Sequence, residues 1–212
     1  MFVSPPRPMG TVLPVMSAAA QRVDQLGEAF FERLKVRLRT VPSKVMEAHG
    51  MTLKDAAVLA PLFWRGGEPW AYLTMRPMTL RKHPGQISFP GGARDPGDAT
   101  PLHTALRETK EELGLPPESV SVLGMLGAMP TITAYWVTPF VGVVPAEAPL
   151  SPSESEIAEV LEAPLWRLRK ETRHIYQADR DVYVWGDARH VVWGATFRML
   201  DQLVEHVSAV GR

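Results

Sequence analysis

One short helix is marked off more firmly than any other stretch of this 212-residue chain. Thr100 is a good N-cap, and Pro101 follows at the first helical position, where a missing N–H costs nothing. Gly114 ends the periodic run, and Pro116-Pro117 forbid its continuation. Between these signals Leu102, Ala105, Leu106, Thr109 and Leu113 form a largely apolar stripe that must face a core. At about 100° per residue, Glu108, Glu111 and Glu112 share an arc of roughly 100°, expected on the opposite side of the helix. Like charges spaced i,i+3 or i,i+4 repel by a few tenths of a kcal/mol per pair. Ahead of the helix stands Phe89-Pro90-Gly91-Gly92, whose glycines can take positive φ and bring backbone close to a ligand.

A bare cluster of this kind can be a solvated acidic face, eased by Arg107 and Lys110. The flanking residues point elsewhere. Carboxylates beside a glycine loop suit a divalent metal held against a diphosphate. The run Arg107-Glu108-Thr109-Lys110-Glu111-Glu112-Leu113-Gly114-Leu115 resembles the Nudix box, G-x5-E-x7-R-E-U-x-E-E-x-G-U, with U a bulky aliphatic residue. Counting back from Arg107, the box expects glutamate at position 99 and glycine at 93, where this chain has Ala99 and Ala93. Asp98 and Gly92 lie one residue earlier, and Thr109 fills the aliphatic slot. Either Asp98 replaces the first glutamate, or that role is absent.

The offset is informative, because the coenzyme A diphosphatase branch of the family carries the same one. Leu73-Thr74-Met75-Arg76 and the run from Leu80-Arg81-Lys82-His83 to Phe89-Pro90-Gly91-Gly92 resemble that branch's extra signature. Glu156-Ile157-Ala158-Glu159-Val160 and Val192-Trp193-Gly194-Ala195-Thr196 are similar to its later landmarks. The resemblance covers about residues 55–205 and is strongest over 73–115.

The resemblance implies an α/β/α sandwich with a mixed central sheet, and hydrolysis of coenzyme A or an acyl derivative to 3′,5′-ADP and (acyl-)4′-phosphopantetheine. It implies Mg²⁺ or Mn²⁺ on Glu108 and Glu112, with Glu111 completing or bridging the site. Arg107 would orient a box carboxylate, with Asp98 a second orienting group. Gly91 and Gly92 would approach phosphate oxygens, and Arg76, Arg81 and Lys82 would meet the 3′-phosphate. His83 either positions the loop or touches ligand. The general base comes from the box, Glu111 included, or from a later acidic loop, where Glu156 is preferred to Glu154. Trp193-Gly194 is expected to pack the last helix on the sheet. Two rival readings remain. One is a Nudix hydrolase for ADP-ribose or a dinucleotide; the other is a catalytically silent nucleotide sensor.

Composition sets the outer bounds. Twenty-three basic and twenty-three acidic residues cancel, so no whole-chain field favours nucleic acid or an anionic membrane. Cysteine is absent, which excludes thiol chemistry and accords with a cytoplasmic location. No apolar run approaches the roughly 20 residues of a membrane span. Residues 1–17 are expected as a disordered leader, or as sequence upstream of a start at Met16; Pro14 breaks the apolar core an export signal would need.

Residues 18–50 read as a helical extension and 51–208 as the hydrolase domain. Over 18–39 Val23, Leu26, Phe30, Leu34 and Leu38 make a stripe that could pack on the fold or form a homodimer contact. Strands are expected at 57–63, 70–76, 86–89, 120–126, 132–144, 182–185 and 190–193. Residues 147–165, with five glutamates and no basic residue, read as an acidic Pro/Ser-rich segment. A last helix presents Leu200, Leu203, Val204 and Val207, giving an α+β class.

Overall fold

Alternation along a single strand sets the layers of the molecule. A computed structural model describes residues 18–41, 45–46, 52–79, 84–175, 178–186 and 190–211, without the side chains of 18–24. The expected leader at 1–17 and the candidate site residues Arg81, Lys82 and His83 lie outside the described residues.

In chain order the elements begin with α1 (Ala18–Thr40), β1 (Lys54–Arg65), β2 (Glu68–Met75), β3 (Ile87–Ser88) and β4 (Gly91–Ala93). The middle of the chain forms α2 (Pro101–Leu113), β5 (Ser121–Met125), β6 (Met129–Pro130) and β7 (Tyr135–Val143). Then come β8 (Glu159–Pro164), β9 (Arg169–Ile175), β10 (Ala178–Trp185), β11 (His190–Val192) and α3 (Gly194–Val210).

Side chains of β1 alternate between two cores. Ala56, Ala60 and Leu62 join Phe30, Leu34 and Leu38 of α1 and Leu200, Leu203 and Val207 of α3. Ala57 and Leu59 meet Ala105 of α2, and Phe63 packs with Tyr72, Leu113 and Leu115. The sheet is thus covered by α2 on one face and by α1 and α3 on the other. Among its eight strands β1 runs parallel to β7 and antiparallel to β2 and β4, so the sheet is mixed. The α+β sandwich is as expected. A second sheet of β9, β10 and β11 is hydrogen-bonded separately but packs Tyr183, Trp185 and Val192 into the same core.

The departures have local causes. Leu26 is 55% exposed, while Phe31 and Gly27 of α1 are buried instead. Gly27 is there because a Cβ would lie 2.6 Å from the Trp64 ring, so only a glycine lets α1 approach β1. Glu159–Pro164, inside the acidic segment, is a strand because it completes the outer edge of β2, with Leu161 opposite Leu73. β9 carries polar residues on both faces and has no apolar alternation. It forms as the partner of β10, where His174 meets Asp179 at 2.9 Å and the Thr172 hydroxyl donates to Asp181 at 3.2 Å.

His206 of α3 is buried, and burial, then the charge of Arg37, pushes its pKa below the ordinary histidine value; Glu205 opposes this. A histidine held neutral in the fold but free to protonate when unfolded costs stability as pH falls below about 6.5. His206→Gln should therefore flatten the loss of stability between pH 7 and 5. Urea midpoints of the two proteins across that range test it, and parallel curves would remove His206 as a cause.

Candidate active site

The ends of α2 are built as its sequence requires. The Thr100 hydroxyl accepts from the His103 N–H at 3.2 Å, and Gly114 takes φ 71° while its N–H returns to Lys110 O. Thr109, in the aliphatic slot, is fully buried because its hydroxyl donates to the Ala105 carbonyl at 2.7 Å. The acidic arc, however, is not a solvated far side. Glu112 lies only about 20° around the helix from Ala105 and is buried at 5% exposure. The arc adjoins the apolar stripe, and its edge turns into the protein.

Burial pushes the Glu112 carboxyl up to about 8, with the charges of Glu108 and Glu156 adding to the shift. The Gly91 N–H, donating to Glu112 Oε2 at 3.2 Å, and the charge of Arg76 act against it. Glu108 is also raised, first by burial and further by Glu111 and Glu156, while its bond with Arg107 opposes. Glu111 is half exposed and accepts from Arg107 Nη1 at 2.9 Å.

Arg107 is the hub of the helix. It meets Glu108 at 2.9 Å, and its Nη2 donates to Asp98 Oδ2 at 2.9 Å and to the Ala93 carbonyl at 3.2 Å. The one-residue offset thus leaves Asp98 within the arginine's reach. Arg107, then the Asp95 N–H, hold the buried Asp98 carboxyl well below the usual carboxylate range. Arg94, which carries no local signal in the sequence, donates to the Asp98 and Ala99 carbonyls and fixes the approach to the helix.

The glycine loop is folded tightly against both helix and sheet. A Cβ on Gly92 would sit 2.6 Å from the Glu108 carboxylate. At Gly91, φ is 154° and a Cβ would lie 2.4 Å from the Ala57 carbonyl oxygen. Gly91→Ala should cost about 1–3 kcal/mol of stability from the strained φ alone, with the clash adding to it. An unchanged thermal midpoint in calorimetry would contradict this.

The acidic segment docks on the end of α2. Ser151 and Ser153 donate their N–H groups to the Leu113 and Glu112 carbonyls at 2.9 and 3.0 Å, satisfying acceptors the helix leaves open. The next turn, Glu154–Glu156, is exposed, and Glu156 stands close enough to raise both Glu108 and Glu112. Arg76 directly follows β2, half-buried, within electrostatic reach of Glu112. Its Nε is shut away from water with no acceptor among the described residues. Glu108, Glu111, Glu112, Glu156, Arg76, Arg107, Asp98, Gly91 and Gly92 therefore form one neighbourhood. Arg76, expected at the 3′-phosphate, is thus also within electrostatic reach of the box carboxylates.

Among the described residues, no three His, Asp or Glu side chains are drawn closely enough to cage a metal ion unaided. The donor set still suits a hard divalent cation. Mg²⁺ takes one or two carboxylates and completes its shell with waters and substrate phosphate. A cation here would relieve the strain of burying Glu112 beside Glu108 and Glu156.

Residues 53–185 match the NUDIX domain model. The chain belongs to the Nudix family. The Nudix hydrolase NudL of Klebsiella pneumoniae subsp. pneumoniae, named as uncharacterized, is 37% identical over 186 residues, 85% of this chain and 94% of that protein. NudL of Cronobacter sakazakii, named in the same way, is 40% identical over 164 residues, 74% of this chain and 85% of that protein. Among solved structures, the NUDIX domain of Shewanella oneidensis NrtR, complexed with ADP ribose, is 16% identical. It covers 84% of this chain and 97% of that chain, with a TM-score of 0.48. The protein is a Nudix hydrolase acting on pyrophosphate bonds of nucleoside diphosphate derivatives, a class that works with divalent metal such as Mg²⁺ or Mn²⁺. Among the described residues no helix is long and apolar enough to cross a membrane.

Proposed function

We propose that this Nudix hydrolase cleaves the diphosphate of coenzyme A or an acyl-coenzyme A, releasing 3′,5′-ADP and 4′-phosphopantetheine or its acyl form. The observation that carries a phosphate substrate is Arg76, with its orphaned Nε beside a buried carboxylate cluster. A buried donor left unmatched costs about 1–3 kcal/mol, and a shift of the half-buried side chain toward a phosphate oxygen would recover it. The choice of coenzyme A rests on the 73–92 signature and its offset, which resemble that branch.

In this reading Glu108 and Glu112 hold Mg²⁺ or Mn²⁺, and Glu111 completes or bridges the set. A cation bound there would neutralise the diphosphate and make water more acidic. Arg107, anchored on Asp98, fixes the carboxylates by charge-assisted bonds. Gly91 and Gly92 let the loop backbone close on Ala57 and on the Glu108 carboxylate, which brings its peptide groups up to the bound phosphate. Glu156 takes the proton as water oxygen bonds to phosphorus and the bridging P–O bond breaks, with Glu154 the alternative base. In this reading Arg81 and Lys82 contact phosphate, and His83 either positions the loop or touches ligand.

A panel of coenzyme A, acetyl-coenzyme A, ADP-ribose and a dinucleotide, each with Mg²⁺ and Mn²⁺ and products resolved by mass, tests the reading. The expected products are 3′,5′-ADP and phosphopantetheine species. Preference for ADP-ribose or the dinucleotide would overturn the substrate. Binding without turnover of any member would point to a sensor.

A further inference from the structure

A second cleft lies where the β2–β3 hairpin meets the small sheet. It encloses about 430 Å³ and is walled by Gln86, Ile132, Ile175, Arg180 and Trp193, among others. That volume falls within the range of small-molecule sites, about 300–1,000 Å³. It adjoins the active site through the backbone, because the Arg76 N–H donates to the Gln86 carbonyl and the Gly85 N–H to that of Arg76. Arg76 and the lining residues Gly85 and Gln86 thus belong to one hairpin, which links the carboxylates' neighbourhood to this cleft.

The chemistry of its walls is specific. Trp193 was expected to pack α3 on the sheet; it is only half-buried and lines this cleft at the N-cap of α3. The guanidinium of Arg180 sits over the indole at 5.6 Å, and its Nε donates to the Ile175 carbonyl at 3.2 Å. No described carboxylate pairs with it. Its neighbours are committed elsewhere: Asp179 meets His174, Asp181 accepts from Thr172, and Glu171 pairs with Arg173 and Arg169. Across the strands Arg180 faces Arg173, so the hairpin adds a second cation rather than a counter-ion. A half-buried guanidinium with no anion among the described residues, beside an indole and two isoleucines, asks for a flat apolar group carrying negative charge.

We propose that this cleft is the subsite for the phosphorylated adenosine end of the substrate, with Arg180 pairing the ribose phosphate and Trp193, Ile132 and Ile175 enclosing the purine. The proposal rests on the reading of coenzyme A as substrate and assigns a specificity-determining residue to it. A pantetheine or acyl arm fits less well, because it brings no anion for Arg180.

Two measurements on the full chain test it. In calorimetry without turnover, 3′,5′-ADP should bind the wild type about 10–100-fold more tightly than 5′-AMP, the range of a hydrogen bond to a charged group. Arg180→Gln should erase that difference, while Arg180→Lys retains part of it and guards against a hairpin that merely misfolds. In kinetics, Arg180→Gln should raise KM for coenzyme A with little change in kcat, and leave dephospho-coenzyme A nearly untouched. Equal binding of 3′,5′-ADP and 5′-AMP by the wild type would overturn the subsite, as would equal losses on both substrates in Arg180→Gln. If the phosphate preference and its loss are seen but coenzyme A is not hydrolysed, the subsite stands and the substrate reading falls.

Discussion

Glu112→Gln is expected to lower turnover by more than about a hundredfold, beyond the 10–100-fold typical of losing a group that only supports a metal ligand. The fold should survive. Glutamine keeps an oxygen for the Gly91 N–H, which now donates to Glu112 Oε2. It also matches the neutral acid, the form favoured by a carboxyl pushed up to about 8 by burial. The thermal midpoint in metal-free buffer should therefore hold or rise slightly, since a buried charge is costly. What should vanish is the extra stability given by Mg²⁺, because a ligand stabilises only to the extent that it binds the folded state. Two readouts thus separate a metal-binding role from a structural one. Near wild-type turnover at saturating Mg²⁺ and Mn²⁺ would refute Glu112 as a ligand. So would an unchanged Mg²⁺-induced shift in midpoint.

The contrast between Glu112 and its neighbours shows where sequence reasoning reached and where it stopped. Caps, the turn at Gly114 and the three-glutamate arc of α2 are local properties and were legible as such. The burial of Glu112 is also within reach of the sequence, since two turns of helix return it to within about 20° of Ala105; the expectation that the whole arc faces away overlooks this. The approach of Arg76 to Glu112 could not be read, because it depends on β2 and α2 meeting through the glycine loop. β8 and β9 escaped for another reason. Their residues alternate poorly, and each is a strand because a neighbour offers unpaired backbone: β2 for Glu159–Pro164, and β10 for Arg169–Ile175. Arg180 and Trp193 had no local signal as partners. The hairpin brings them together across thirteen residues of chain.

Glu156→Gln is expected to reduce kcat by about 10²–10⁴-fold at neutral pH, the usual contribution of a positioned general base, with KM little altered. A rival explanation is that Glu156 acts only through its field. Its charge raises both Glu108 and Glu112, so neutralising it would ease their ionisation and change metal affinity. That effect should disappear at saturating metal, whereas loss of a base should not. Part of the lost rate should return at higher pH, where hydroxide in solution substitutes for a proton acceptor on the protein. Glu154→Gln supplies the internal comparison, because Glu154 shares the exposed turn but does not figure in the shifts of the box carboxylates. The turn itself should stay in place in both variants, since it is held by backbone bonds from Ser151 and Ser153 to the end of α2. Wild-type pH–rate profiles for both glutamines at saturating metal would move the base into the box, with Glu108 and Glu111 next to be replaced. A deficit confined to Glu156→Gln and shrinking with rising pH would assign proton removal to the acidic segment.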